Sequence, residues 1–201
     1  YYFDETASLS SQYSFQFNKR LEFDVRRGSL NNLAALDLEL STHNLNVDFK
    51  KTYHDWHLKS GVNAGFQNNF ASPATGIRPL IPNYEKVDAG VCGSAGVSLS
   101  DGLVVDGGLR YDFAKVDAKK FYFKSRWTER GYDVLFPQFE VREVGDQILA
   151  HPTFTFHNLS ASLGFRKTFD KQWDWYTNIS LATRNPNPSE FFSDGLHHSS
   201  G

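Results

Sequence analysis

The sequence predicts an all-β chain, specifically the wall of an antiparallel transmembrane β-barrel with about seven long strands. Three observations lead there. Apolar and polar residues alternate with a period of two along most of the chain. The connections between these stretches alternate between short and long. Aromatic residues make up 15 % of the chain, with 18 Phe, 9 Tyr, 4 Trp and 15 Gly, a composition that favours strands and turns over helices.

Taken in chain order, "YSFQF" (13–17) and "LEFDV" (21–25) alternate first, then "LDLEL" (36–40) and "LNVDF" (45–49). The last two differ in parity across Ser41 to Asn44, which predicts a bulge there. In "WHLKSGVNAGF", Trp56, Leu58, Ser60, Val62, Ala64 and Phe66 share one face, against His57, Lys59, Gly61, Asn63 and Gly65. In "EKVDAGVCGSAGVSLS" the apolar face runs from Val87 to Leu99 through Val91 and Val97, with Asp88, Cys92 and Ser94 opposite. "LVVDGGLRYDF" sets Leu103, Val105, Leu109, Tyr111 and Phe113 against Asp106, Gly108, Arg110 and Asp112. "HNLSASLGF" (157–165) and "WDWYTNISLA" (173–182) repeat the scheme.

Short connections fall at 51–56, 99–103 and 169–173; long ones fall at 26–34, 69–85 and roughly 124–152. Tight turns on one side and extended loops on the other are the habit of barrels that cross an outer membrane. The polar faces are small, rich in Gly, Ser and Asn, as a wide lumen tolerates. Trp56, Trp173 and Trp175 fall at short-turn ends, with Tyr84 and Tyr122 at long-loop ends, where interfacial girdles would place them. At this level two alternatives stay open: a passive porin wall, and a soluble or adhesive β-sandwich that buries the same aromatics in a protein core.

A formal net charge of −2 gives no basic surface for nucleic acid. No apolar run approaches the roughly 18 residues of a transmembrane helix, and a mean hydropathy of −0.47 is what alternating strands produce. The single cysteine, Cys92, allows neither an internal disulfide nor a thiolate metal cluster. There is no G-x-S-x-G, H-E-x-x-H or Walker loop, so nothing points to an enzyme, a catalytic residue or a cofactor. With no methionine and an opening "YYFDETASL", the sequence reads as a piece of something larger.

"RNPNPSEFFSDGLHH" (184–198) resembles the signature in the second half of TonB-dependent outer-membrane receptors: Arg184, Pro186, Pro188, then Glu190, Phe191, Phe192, and the turn Asp194-Gly195 ending in His197. "RRGSL" followed by "LDLEL", "GIRPLIPNYE", "GLRYDFAKVDAK" and "FHNLSASLGFRKTF" resemble further stretches of these receptors, in their order and over nearly the whole chain. The resemblance implies a barrel of roughly 22 strands with a plugged lumen. Residues 1–201 are then an incomplete part of the barrel domain, lacking plug and closure and inactive alone. It also implies a place in the outer membrane of a Gram-negative-type cell, in contact with its lipid. The work is import of a scarce nutrient, such as a siderophore, haem or metal chelate. The other partners are the protein's own N-terminal plug and the TonB energy-transducing complex, with no nucleic acid. Receptors for these cargoes share this wall and differ mainly in loops and plug.

His197 and His198, with Glu190 and Asp194, offer imidazole and carboxylate donors to a metal. The two prolines and the Asp-Gly turn make the same stretch a loop cap, and that reading is preferred. Arg78, Tyr84, Arg126, Trp127, Arg130 and Tyr132 fall in the long loops, where arginines and aromatics suit an anionic chelate. Asp106, Arg110, Asp112 and Arg166 are expected to face the lumen and pair with the plug.

Overall fold

Alternation in the sequence becomes a single antiparallel sheet in the structure, a computed structural model that describes residues 1–23, 34–75, 79–169 and 173–192. Seven long strands form it: β2 (Ala7–Glu22), β3 (Leu36–Tyr53), β4 (Trp56–Ala71), β5 (Asn83–Ser100), β6 (Leu103–Phe123), β9 (Thr153–Thr168) and β10 (Asp174–Leu181). Each pairs with the next in that order. Three short strands are additions that the alternation did not announce: β1 (Tyr2–Asp4) on β2, and the hairpin β7 (Glu140–Val144) and β8 (Gln147–Ala150). β6 forks, pairing with β9 up to Asp117 and with β8 from Lys120 to Phe123. The sheet is open, with β10 at one edge and β1–β2 at the other.

Short and long connections segregate to opposite ends. At the short end, β3 turns into β4 at His54–Asp55, with His54 at φ 48°, and β5 into β6 at Asp101–Gly102, with Gly102 at φ 74°. A Cβ at Gly102 would also stand 2.7 Å from the Thr168 carbonyl oxygen, so only glycine fits. At the long end, the 124–152 connection is itself folded. It holds helices α1 (Lys124–Glu129) and α2 (Tyr132–Leu135), a 3-10 turn at Pro137–Phe139 and the β7–β8 hairpin.

The outward face carries the apolar stripe. Trp56, Leu58, Val62 and Phe66 on β4 stand directly across from Val97, Ala95, Val91 and Val87 on β5, and most of these side chains are exposed. Ten residue steps from Trp56 to Phe66 cover about 33 Å, which at a strand tilt of about 40° rises roughly 25 Å, the height of an outer-membrane apolar band. Two matching trios mark its upper rim. His43 lies across from Phe15 with its Nδ1 hydrogen-bonded to the Tyr13 hydroxyl at 2.8 Å. His157 lies across from Phe113 with its Nδ1 bonded to the Tyr111 hydroxyl at 2.6 Å.

Above the rim the two faces exchange character. Outward positions become charged, with Lys19 bonded to Glu39 at 2.8 Å and Lys115 paired with Asp117 at 3.1 Å. Inward positions become apolar and buried: Leu36, Leu38, Tyr84, Val116 and Ala118. This exchange corrects the bulge expected across Ser41 to Asn44. β3 runs in unbroken register with both neighbours, Ser41 opposite Phe17 and Asn68, Asn44 opposite Ser14 and Gly65. The parity change is real, but it is the environment that switches sides, not the backbone. Tyr84 and Tyr122 likewise have inward parity, so neither belongs to a girdle; Tyr84 is buried at 7 % exposure.

Candidate functional site

The inward face at mid-height is a smooth, charged wall. Arg110 donates from Nε and Nη2 to the Asp112 carboxylate, at 2.7 and 2.5 Å, and from Nη2 to Asn63 Oδ1 on β4 at 2.8 Å. Asp112 stands across from Gly90, Asp88 from Gly65, Asp48 from Gly61 and Asp106 from Gly164. Each carboxylate therefore lies over a residue with no side chain. A Cβ at Gly65 would come within 2.5 Å of Asp88, and one at Gly164 within 2.6 Å of Asp106. Arg166 lies exposed on the same face, opposite Tyr176. Thus Asp106, Arg110, Asp112 and Arg166 share one surface, and Arg110 with Asp112 is already joined through Asn63 to β4. Lys86 pairs with Asp88 at 3.2 Å on the same surface.

The long-loop candidates separate into two groups. Arg78 lies outside the described residues. Arg126 and Arg130 are exposed, with the Arg130 guanidinium 6.0 Å from the Tyr132 ring centre. Tyr84, expected in a loop, is the second residue of β5, and its hydroxyl donates to Gln67 Oε1 at 2.7 Å. Trp127 is 3 % exposed and packs with Ile148 and Ala150, its ring against Tyr122 and Tyr132. Trp127 and Tyr132 therefore build the loop's own core instead of presenting rings to a ligand. The physical reason is that a 29-residue connection (124–152) this rich in aromatics buries them when it folds.

The 184–198 motif continues this core. After β10 the chain leaves the sheet but keeps its direction along the inward side of β9, where Thr183 Oγ1 donates to the Leu159 carbonyl and Ser160 bonds Thr183. Pro186 and Pro188 keep it from pairing as a strand, and buried Pro188 opens the one-turn helix α3 (Pro188–Phe192). Arg184 grips Glu190 in bidentate fashion, Nη2 to Oε1 at 2.8 Å and Nη1 to Oε2 at 3.0 Å, and the Asn187 amide donates to Oε2 at 2.9 Å. These bonds, led by that from Arg184, hold the Glu190 carboxyl down at about 2. The clasp fixes a corner that drops Phe192 into the cluster of Tyr84, Val116 and Ala118, and stacks Phe191 on Phe154 at 5.2 Å between ring centres. Lys120, buried below, donates to the Phe192 carbonyl at 2.6 Å. Asp194, Gly195, His197 and His198 lie outside the described residues. Among the described residues no three His, Cys, Asp or Glu side chains stand close enough to hold a metal.

The motif and the 124–152 loop meet in one chain of rings from Tyr122 through Trp127, Tyr132, Phe136, Phe139 and Phe154 to Phe191 and Phe192. A small cavity of about 160 Å³ opens among them. The inward partners Val116, Ala118, Phe154 and Phe156 were missed in the sequence, although their signal is present. In "AKVDAKK" the apolar residues move to even positions, out of phase with Tyr111 and Phe113.

An open antiparallel wall with an apolar band outside, a polar face inside and a folded loop cap at one end is part of a transmembrane barrel. The chain belongs to the TonB dependent receptor-like β-barrel family, whose model matches residues 1–201. Its fold is shared with the FrpB iron transporter of Neisseria meningitidis, at TM-score 0.58 and 19 % identity over 89 % of this chain and 26 % of that one. It is also shared with the copper transporter OprC, at TM-score 0.63 and 14 % identity over 95 % of this chain and 30 % of that one. The chain thus spans less than a third of the length of these neighbours. No curated protein matches it.

Proposed function

We propose that residues 1–201 are part of the barrel domain of an outer-membrane receptor that imports a scarce nutrient actively, with energy relayed by TonB. The observation that carries this reading is the exchange of faces: an outward apolar band of membrane height, which gives way above its rim to a charged exterior and an apolar interior. A soluble sandwich has no reason to reverse polarity along one unbroken strand such as β3. In this reading the inward charges Asp106, Arg110, Asp112 and Arg166 face the protein's own plug domain. The exposed Arg126 and Arg130, with Arg78, lie on the route of an anionic cargo at the extracellular mouth. Tyr84, Trp127 and Tyr132 support that mouth from beneath. The part described works only within the complete barrel, because open strand edges are not tolerated in lipid.

The iron and copper in the names of the two structural neighbours make a chelated transition metal the first cargo to try. The test is uptake of labelled ferric and cupric chelates by cells with and without the gene, before and after collapse of the inner-membrane potential. Active import predicts uptake that needs both the gene and the potential. Gene-dependent uptake that survives the collapse would make the protein a passive pore, and failure to fractionate with the outer membrane would remove the barrel reading altogether.

A further inference from the structure

The outward face carries a cleft that neither strand pairing nor the loop cap explains. β4 and β5 stop pairing at Asn69 and Tyr84, and the cleft opens beside that end, with a volume of about 530 Å³. Asn69 and Tyr84 border it from the inward side, but the other strand residues that line it have outward parity. Of these, Asn68, Glu85 and Lys115 sit one step above Phe66, Val87 and Phe113, the top of the apolar band. Just below it lies the Tyr111–His157 pair. This is the depth at which acyl chains give way to headgroups.

The lining has two chemistries side by side. Phe70 offers an open ring at 47 % exposure, flanked by Asn68 and Glu85, which oppose each other across β4 and β5. A flat aromatic beside an amide and a carboxylate suits a sugar, whose C–H face stacks on the ring while its hydroxyls donate to the oxygens. On the far side stand Lys119 and His151. Lys115 is held by Asp117, which also accepts from the Thr153 hydroxyl at 2.5 Å, whereas Lys119 has no ion-pair partner among the described residues. An ammonium left in this way suits a phosphate.

We propose that this cleft seats the phosphorylated sugar headgroup of an outer-leaflet glycolipid, with its acyl chains lying down the band below. The proposal rests on the membrane placement above but not on the cargo. The experiment uses the full-length receptor in lipid nanodiscs containing either a diphosphorylated disaccharide glycolipid or phosphatidylglycerol, with bound lipid counted by native mass spectrometry. The expected result is selective retention of the glycolipid, reduced about tenfold by Phe70→Ser and by Lys119→Glu. Both side chains are exposed, and heat-modifiable gel migration checks that each variant is folded; a variant that fails leaves the other to decide. Equal retention of phosphatidylglycerol, or unchanged retention in the folded variants, overturns the proposal. So does complete displacement by soluble glucosamine 1-phosphate, which would make the occupant a free sugar phosphate. Energised uptake is scored separately, so loss of glycolipid selectivity with intact uptake refutes the cleft alone.

Discussion

At Glu190 one exposed carboxylate accepts three hydrogen bonds, two from Arg184 and one from the Asn187 amide, and so turns the chain out of the sheet. Its carboxyl titrates at about 2 instead of 4.5, so the charged form is favoured in the folded chain. A depressed carboxylate contributes stability that is complete above 4.5, fades as pH falls toward 2, and is absent below it. The protection factors of the Phe191 and Phe192 amides, taken against the intrinsic exchange rate, should therefore fall on acidification within that window. In Glu190→Gln exchange should be fast throughout, with no dependence on pH in the same window beyond the intrinsic rate. Protection that rises on acidification would show that the clasp does not hold the corner. Arg184 and Glu190 were legible in the sequence as parts of a motif; what they do was not, because a bidentate pair is a matter of geometry.

Among the elements, β6 shows both environments on a single strand, as β3 does. Tyr111 and Phe113 point outward, and three residues on Val116 points inward at 1 % exposure. The inward end exists to receive α3, and Phe192, at 2 % exposure, is its central member. Phe192→Ala removes a ring from a closed cluster and should destabilise this cap by about 3–5 kcal/mol. The expected sign is local: proteolysis of the 124–152 loop speeds up, while the heat-modifiable band of the barrel is retained. Simultaneous loss of the barrel would mean that wall and cap fold as one unit. Seven long strands were readable because period-two alternation is enforced wherever one face meets lipid and the other water. The helices and hairpin of 124–152 were not, since α1 has six residues and α2 four, too short for a helical period to register. The parity shift between "LDLEL" and "LNVDF" was seen and misread. A bulge and a change of surroundings leave the same mark on a sequence, and only the pairing of Ser41 with Phe17 and Asn68 separates them.

For the molecule as a whole, the membrane reading stands or falls on which face meets water, and β5 supplies neighbouring residues that report on each. Cys92 is inward, half-buried and free; Val91 is outward, 52 % exposed, opposite Val62 and Tyr111 in the middle of the band. In a receptor assembled in its membrane, a small water-soluble thiol reagent should reach Cys92 through the lumen. In Cys92→Ser/Val91→Cys the new thiol should be silent to that reagent, and a spin label placed on it should be relaxed by oxygen dissolved in the bilayer. Plug contacts bear on the first half, since a plug seated against the Arg110–Asp112 surface would slow labelling at Cys92 beside it. They do not bear on the second, because nothing on the lumen side touches Val91. Rapid aqueous labelling at position 91 would therefore place water on the apolar face. The exposed stripe from Trp56 to Phe66 would then have to be covered by protein, and the sandwich would displace the barrel.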